Sequence, residues 1–315
     1  MSVGAAGPLI TLVVVVVVFA ALAPQFRTPG NIANILDAAA VLAVVTCGTT
    51  FVLLLGSIDL SAAGVMAASS LTVALLVENT RNGADHGLLG IVVAVLLGAA
   101  LGGLSGLLLV LLRVPSFMTT LGVSAVGLGI ATLLFAGVQP GVVDAGLRGW
   151  ATGRFLGFTH LTWIAAACVL VGWVVQRHTR LGRYAMAIGG GEEVLALSGV
   201  RVAPYKVAVF TMAGAFYGLG AVMVTSQLGS GVVQAGADYS FSAITAAVVG
   251  GTLLVGGRGG VLHSTVGVLL LTVLANGLVL VGVSPYVQGG VQGLIVVVAV
   301  AAAAAPLRHR NQVVK

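Results

Sequence analysis

Residues 87–112 read GLLGIVVAVLLGAALGGLSGLLLVLL, a run without a single charge. As an α-helix rising 1.5 Å per residue it is long enough to cross the roughly 30 Å hydrocarbon core of a bilayer. Gly98, Gly102 and Gly106 recur at every fourth position, so they share one face on which another helix can approach closely. The rest of the chain has the same character. Of 315 residues 59% are apolar and only 7% charged, against about 25% charged in an ordinary soluble domain. Fourteen Lys and Arg with eight Asp and Glu are too few to wet the surface of a globule this size. At about 20 residues per crossing plus turns, the chain holds roughly ten spans and no sizeable aqueous domain. The expected class is an all-α polytopic membrane protein, a single transmembrane domain over 1–315.

Apolar length places spans near 7–24, 35–55, 59–77, 87–112, 116–136, 161–175, 207–226, 240–255, 262–282 and 286–305. A turn is expected from Phe26 to Asn34, where Thr28-Pro29-Gly30-Asn31 interrupts the pattern. No Lys or Arg precedes the first apolar run, so a retained span is expected there in preference to a cleaved signal peptide. Ten spans put both termini on one side. That side carries ten Lys and Arg and the other only Arg27, Arg81, Arg148 and Arg154, which makes the termini cytoplasmic. The net charge of +6 is divided among separate loops, so it reads as a topology signal and nucleic acid is not an expected partner. Cys47 and Cys168 lie in apolar runs far apart and read as small hydrophobes. No metal spacing joins the five His residues.

The longest hydrophilic segment, 176–206, falls on the cytoplasmic side. Within it Gly189, Gly190 and Gly191 supply a flexible entry to a short amphipathic helix. Glu192 and Glu193 occupy its first turn, where carboxylates suit the helix dipole, and Gly199 terminates it. Val194, Leu197 and Leu195 then form an apolar strip that needs cover, from a soluble partner or from the membrane surface. The glycine-rich stretch from Gly250 to Gly260 contains no phosphate-loop Lys-Ser/Thr pair, so ATP is not expected to bind this chain. Arg258 between its glycines reads as a tight cytoplasmic turn, either a topology anchor or a second partner contact. Asp59, with Ser57 and Ser61 beside it, lies between two nearly continuous spans. A carboxylate there faces protein or a water-filled cavity. It reads as a cap for the following helix in preference to a direct substrate ligand. Thr119, Thr120, Gln139, Gln227 and Asn276 interrupt apolar spans or their ends. They suit a weakly binding path for a neutral polyol, or else they bond across helices or to their own backbone.

Several of these segments together resemble one family. Gly182-Arg183 followed by Gly190-Gly191-Glu192-Glu193-Val194 and Leu197-Ser198-Gly199 is similar to the cytoplasmic coupling loop of the permease subunits of ribose, xylose and galactoside-type ABC importers. Gly56-Ser57-Ile58-Asp59-Leu60-Ser61 resembles that family's Gly-Gly-Ile-Asp-Leu-Ser, and Pro115-Ser116-Phe117-Met118-Thr119-Thr120-Leu121-Gly122 its Pro-Pro-Phe-Ile-x-Thr-Leu-Gly. Gly250-Gly251-Thr252, Gly256-Gly257-Arg258-Gly259 and Asn276-Gly277-Leu278 continue in family order, so the likeness covers about residues 28–298. One departure is Tyr239-Ser240-Phe241-Ser242-Ala243-Ile244, which lacks the family's two carboxylates where an extracytoplasmic gate or binding-protein contact is expected.

The resemblance implies a permease subunit that imports a monosaccharide or similar small polar solute through the bacterial inner membrane. It implies a second permease chain, identical or different, and an extracytoplasmic solute-binding protein. A separate tandem ATPase would hold ATP and Mg and dock on the 176–206 loop; this chain would bind no cofactor and be no enzyme. Two other classes fit a ten-span protein: a proton- or ion-coupled secondary transporter, with Asp59 as relay, and a non-transporting membrane scaffold or receptor.

Overall fold

The computed structural model describes residues 3–284, 287, 289–291, 293 and 294, so most of the expected tenth span and the whole basic tail lie outside the described residues. Eleven helices are named in chain order: α1 (Val3–Leu22), α2 (Pro29–Leu54), α3 (Ala62–Leu76), α4 (Leu88–Leu112), α5 (Ser116–Phe135), α6 (Ala145–Thr152), α7 (His160–His178), α8 (Arg180–Leu197), α9 (Val202–Leu228), α10 (Tyr239–Val249) and α11 (Val261–Leu280). A two-stranded antiparallel hairpin, β1 (Arg154–Phe155) and β2 (Phe158–Thr159), sits between α6 and α7. Six helices, α2, α4, α5, α7, α9 and α11, are long and apolar enough to cross a membrane. The apolar part of α1, and all of α3 and α10, are shorter.

Helix α2 is the axis of the bundle. In its most apolar stretch 83% of the residues are buried, against 17% for α7, and it packs on α7, α8, α9, α10 and α11. The glycine face of α4 meets α9, the most extensive helix pair in the chain. A Cβ on Gly102 would run into the Phe210 carbonyl, and one on Gly214 into that of Gly98, so these positions admit only hydrogen. Backbone approach of this kind drives helix association where lipid makes the hydrophobic effect indifferent. Outward, α4 and α5 present exposed leucines such as Leu96 and Leu133.

The structure corrects several boundaries. The expected turn from Phe26 to Asn34 is confined to a 3₁₀ turn, Pro24–Arg27, and α2 already starts at Pro29. Thr28 caps it by accepting the Asn31 N–H, and Pro29 stands at the first helical position, where its missing N–H costs nothing. The third span begins at Ala62 instead of Asp59, and the eighth ends at Val249 instead of 255. In both places the chain runs irregularly between helices. Hydropathy registers side chains and is blind to the glycines that turn this backbone, Gly56 and Gly256, at φ 74° and 86°.

Candidate functional site

Asp59 lies in the irregular segment between α2 and α3 and is 1% exposed. Its Oδ1 accepts the Ser61 N–H at 2.8 Å and the Ser61 hydroxyl at 2.6 Å; its Oδ2 accepts the Tyr217 hydroxyl of α9 at 3.1 Å. Tyr217 Oη is in turn 3.3 Å from Thr49 Oγ1 on α2. The carboxylate therefore ties α2, α9 and the start of α3 together. It does not bind the free N–H groups of α3's first turn as an ordinary cap would. For Gly64, the third residue of α3, that work falls to α5, which also holds the backbone leading into the helix. Ser116, Thr120 and Ser124, one helical turn apart, accept the N–H groups of Ile58 at 2.9 Å, Leu60 at 3.1 Å and Gly64 at 3.2 Å. Gly64 and Gly127 permit the approach, since a Cβ on either would strike the other helix.

Thr50, next to Thr49, starts a second hydroxyl chain. It is 2.8 Å from Ser264 of α11, which is 3.0 Å from Thr252, and Thr252 accepts the Gly260 N–H at 3.1 Å. Gln176 of α7 closes the same loop, accepting the Val261 N–H at 2.8 Å and donating to the Gly259 carbonyl at 3.2 Å. Arg258, at the tip of this glycine loop, is exposed.

At the end of α2 three strands of backbone touch. Gly257 donates to the Leu54 carbonyl at 3.0 Å. A Cβ on Gly256 would stand 2.8 Å from Gly189 Cα, one on Gly257 2.9 Å from Gly190 Cα, and one on Gly56 2.9 Å from the Val255 carbonyl. Gly189 and Gly190 are consequently not a flexible entry. They belong to a helix that starts at Arg180, and Gly189 is fixed between Leu54 and the loop 250–260. Only Gly191, with extended backbone, divides α8 in two.

Beyond Gly191 the chain turns outward. Val194 is 71% exposed and Leu197 89%, while Leu195 turns in and packs against the core. Glu192 and Glu193 are exposed, and Lys206 of α9 donates to both Glu192 oxygens at 2.7 Å. The short helix ends at Leu197 with Ser198 as its C-cap, and Gly199 follows at φ 82°, the left-handed backbone that stops helices. Gly182 is buried where α8 turns back on α7; Arg183 is exposed and reaches the His178 carbonyl.

The remaining polar residues are scattered. Thr119 donates to its own helix at Ser116, and Phe117 is half exposed. Gln139 donates to Ser230 at 2.8 Å, and Gln227 lies exposed at the end of α9. Asn276 forms a reciprocal amide pair with Asn31 of α2, at 3.0 and 2.9 Å. Ser57 is buried, and Ser240, in place of a family carboxylate, is buried with no hydrogen-bond partner among the described residues. Sequence reading overlooked Asp37. Its Oδ1 accepts the Thr159 hydroxyl at 2.7 Å, the Thr159 N–H at 3.4 Å and the Thr162 hydroxyl, and Arg154 Nη2 stands 4.0 Å from its Oδ2. A carboxylate inside an expected span was the available signal.

The arrangement is a bundle with a segment that exposes Val194 and Leu197 on one side, a glycine joint from its helix to α2, and hydroxyl chains leading on from α2. Among the described residues no three His, Cys, Asp or Glu side chains gather as a metal site would need. Residues 31–300 match a family model described as "Branched-chain amino acid transport system / permease component". The chain is 36% identical over 296 residues to the ribose import permease protein of Escherichia coli (strain K12), covering 93% of this chain and 91% of that protein. The ribose import permease protein of Bacillus subtilis (strain 168) is also 36% identical, with the same coverage. The galactose/methyl galactoside import permease protein of Escherichia coli (strain K12) is 32% identical over 293 residues, 88% of this chain and 87% of that one. No solved structure matches the chain. On the extent of these matches and on its apolar helices, the chain is a multi-pass membrane protein and belongs to the branched-chain amino acid transport system / permease component family.

Proposed function

We propose that this chain is the membrane-spanning permease subunit of an ATP-driven importer for a monosaccharide or a similar small polar solute in a bacterial inner membrane. Kinship to ribose and galactose import permeases over about nine-tenths of the chain carries the reading. In this reading the chain crosses the membrane about ten times with both termini in the cytoplasm. It pairs with a second permease chain, receives solute from an extracytoplasmic binding protein, and docks a separate tandem ATPase that holds ATP and Mg.

The docking element is the segment from Glu192 to Gly199, with Val194 and Leu197 as its apolar contacts and Arg258 as a neighbouring one. Gly182, Arg183 and Gly190 shape the helix that carries it. ATP closure of the partner moves solute only if it favours one of two transmembrane states, so the docked segment must be joined to the helices that differ between them. The contact of Gly189 with Leu54, Gly256 and Gly257 supports such a joint. From Leu54 the Asp59 and Thr50 chains lead to α3, α9 and α11. Thr119, Gln139 and Gln227 are the remaining candidates for transient sugar contact.

Copurification tests the reading. Tagged protein is extracted gently from its native membrane and its partners identified, alongside the variant Glu192→Lys plus Glu193→Lys. Reversal turns the Lys206 pair into a repulsion, at a stability cost of about 1 kcal/mol because Glu192 stands half in solvent, so insertion survives. A nucleotide-binding chain recovered with wild type and lost from the variant is the expected result. An intact, folded wild-type preparation that carries no ATPase overturns it.

A further inference from the structure

We propose that the cleft where the C-terminal end of α4 meets the start of α9 and the segment after Gly191 binds the headgroup of an anionic phospholipid. A cavity of about 450 Å³ lies there, lined by Arg113, Lys206 and Glu192 together with apolar residues that include Leu109, Val110 and Val202. Its charge is two cations against one carboxylate. Lys206 directs two donors at Glu192 and retains a third for another acceptor. Arg113 follows α4 in the left-handed conformation, φ 53°, and is exposed. Among the described residues no group accepts a hydrogen bond from its guanidinium. One phosphodiester held between Arg113 and Lys206 leaves the site neutral, whereas a zwitterionic headgroup brings a further cation into a site already positive.

The surroundings select a lipid over a free anion. Leu109, Val110, Val114 and Val202 form apolar walls of the same cleft, beside Arg113 and Lys206. A soluble phosphate satisfies the cations and leaves these apolar walls bare; a phospholipid covers both with one molecule. Basic pockets between membrane helices recognise anionic headgroups in this way, with about 1 kcal/mol from each Lys or Arg near the surface. Because Lys206 touches both the headgroup and Glu192, the lipid bears on the segment proposed above for ATPase docking. Lipid binding itself does not depend on that proposal.

Native mass spectrometry of the purified permease, titrated with phosphatidylglycerol or phosphatidylcholine of matched acyl chains, tests the site. One phosphatidylglycerol retained per chain in preference to phosphatidylcholine is expected. Arg113→Gln, which lies outside the docking segment, is expected to lower that preference about fivefold. Arg148→Gln, on the distant helix α6, is expected to leave it unchanged. Both variants are first checked for wild-type thermal unfolding. Equal binding of the two lipids, or equal loss in both variants, overturns the proposal. Displacement of phosphatidylglycerol by millimolar inorganic phosphate shows a free-anion site and overturns the lipid assignment. Lipid held by single chains yet absent from the assembled dimer shows that the second chain covers the cleft, and also overturns it.

Discussion

Asp37 lies within α2 and Asp59 just beyond its end, and the two solve the problem of a carboxylate among apolar spans differently. Asp37, one-third of the way along α2, keeps 17% of its side chain exposed, has Arg154 at 4.0 Å, and draws its hydrogen bonds from the N-terminal turn of α7. Asp59, just past the other end of α2, is wholly buried and surrounded by neutral donors: Ser61 through two groups, and Tyr217. Near water a cation offsets the charge cheaply, and small errors of geometry are absorbed by solvent. In the interior every lone pair needs a donor, so the site is built from short hydroxyl bonds that admit little variation.

Removing each carboxylate is the strongest way to break that contrast. Asp59→Ala orphans three buried donors and is expected to cost about 3 kcal/mol or more in an unfolding equilibrium in mixed detergent micelles. Asp37→Ala is expected to cost about 1 to 2 kcal/mol in the same experiment, since Thr162 is only half-buried and solvent can reach it, while Thr159 is left buried. Equal costs would mean that burial does not distinguish the two sites. The smallest effect belongs to Tyr217→Phe, which removes one interhelical bond but leaves Ser61 on Asp59. About 0.6 kcal/mol is expected and at most about 1.7, the average and the maximum for single hydrogen bonds between membrane helices. A loss as large as that of Asp59→Ala would show that Tyr217 alone holds the carboxylate.

Much of this architecture is legible in the residues. Uninterrupted apolar length located α4, α5 and α9 to within a few positions, because a span must bury every backbone group within one segment. The glycines of α4 announced a close helix contact, and Asp59 stood out as a charge at a span boundary. Other features leave no linear trace. Ser116 and Ser124 serve the backbone of residues 58–64, and nothing in their own helix reveals it. Tyr217 hides in an apolar run because its ring suits the core and only its hydroxyl matters. Asp37 escaped notice because its partners, Thr159 and Thr162, lie more than a hundred residues away. Gly189 looked like a hinge for the same reason: what immobilises it is the backbone of Leu54 and Gly256, distant in the chain.

That last junction has a mechanical consequence. Where Gly56, Gly189 and Gly256 meet, main chain bears directly on main chain, with no rotamer between them to yield. Most helix contacts have backlash: a shift of a few tenths of an ångström is taken up by side chains changing rotamer before the next helix responds. A joint made of glycine has almost none. A displacement entering along α8 reaches α2 and the loop 250–260 nearly undiminished, as in a gear train cut without play.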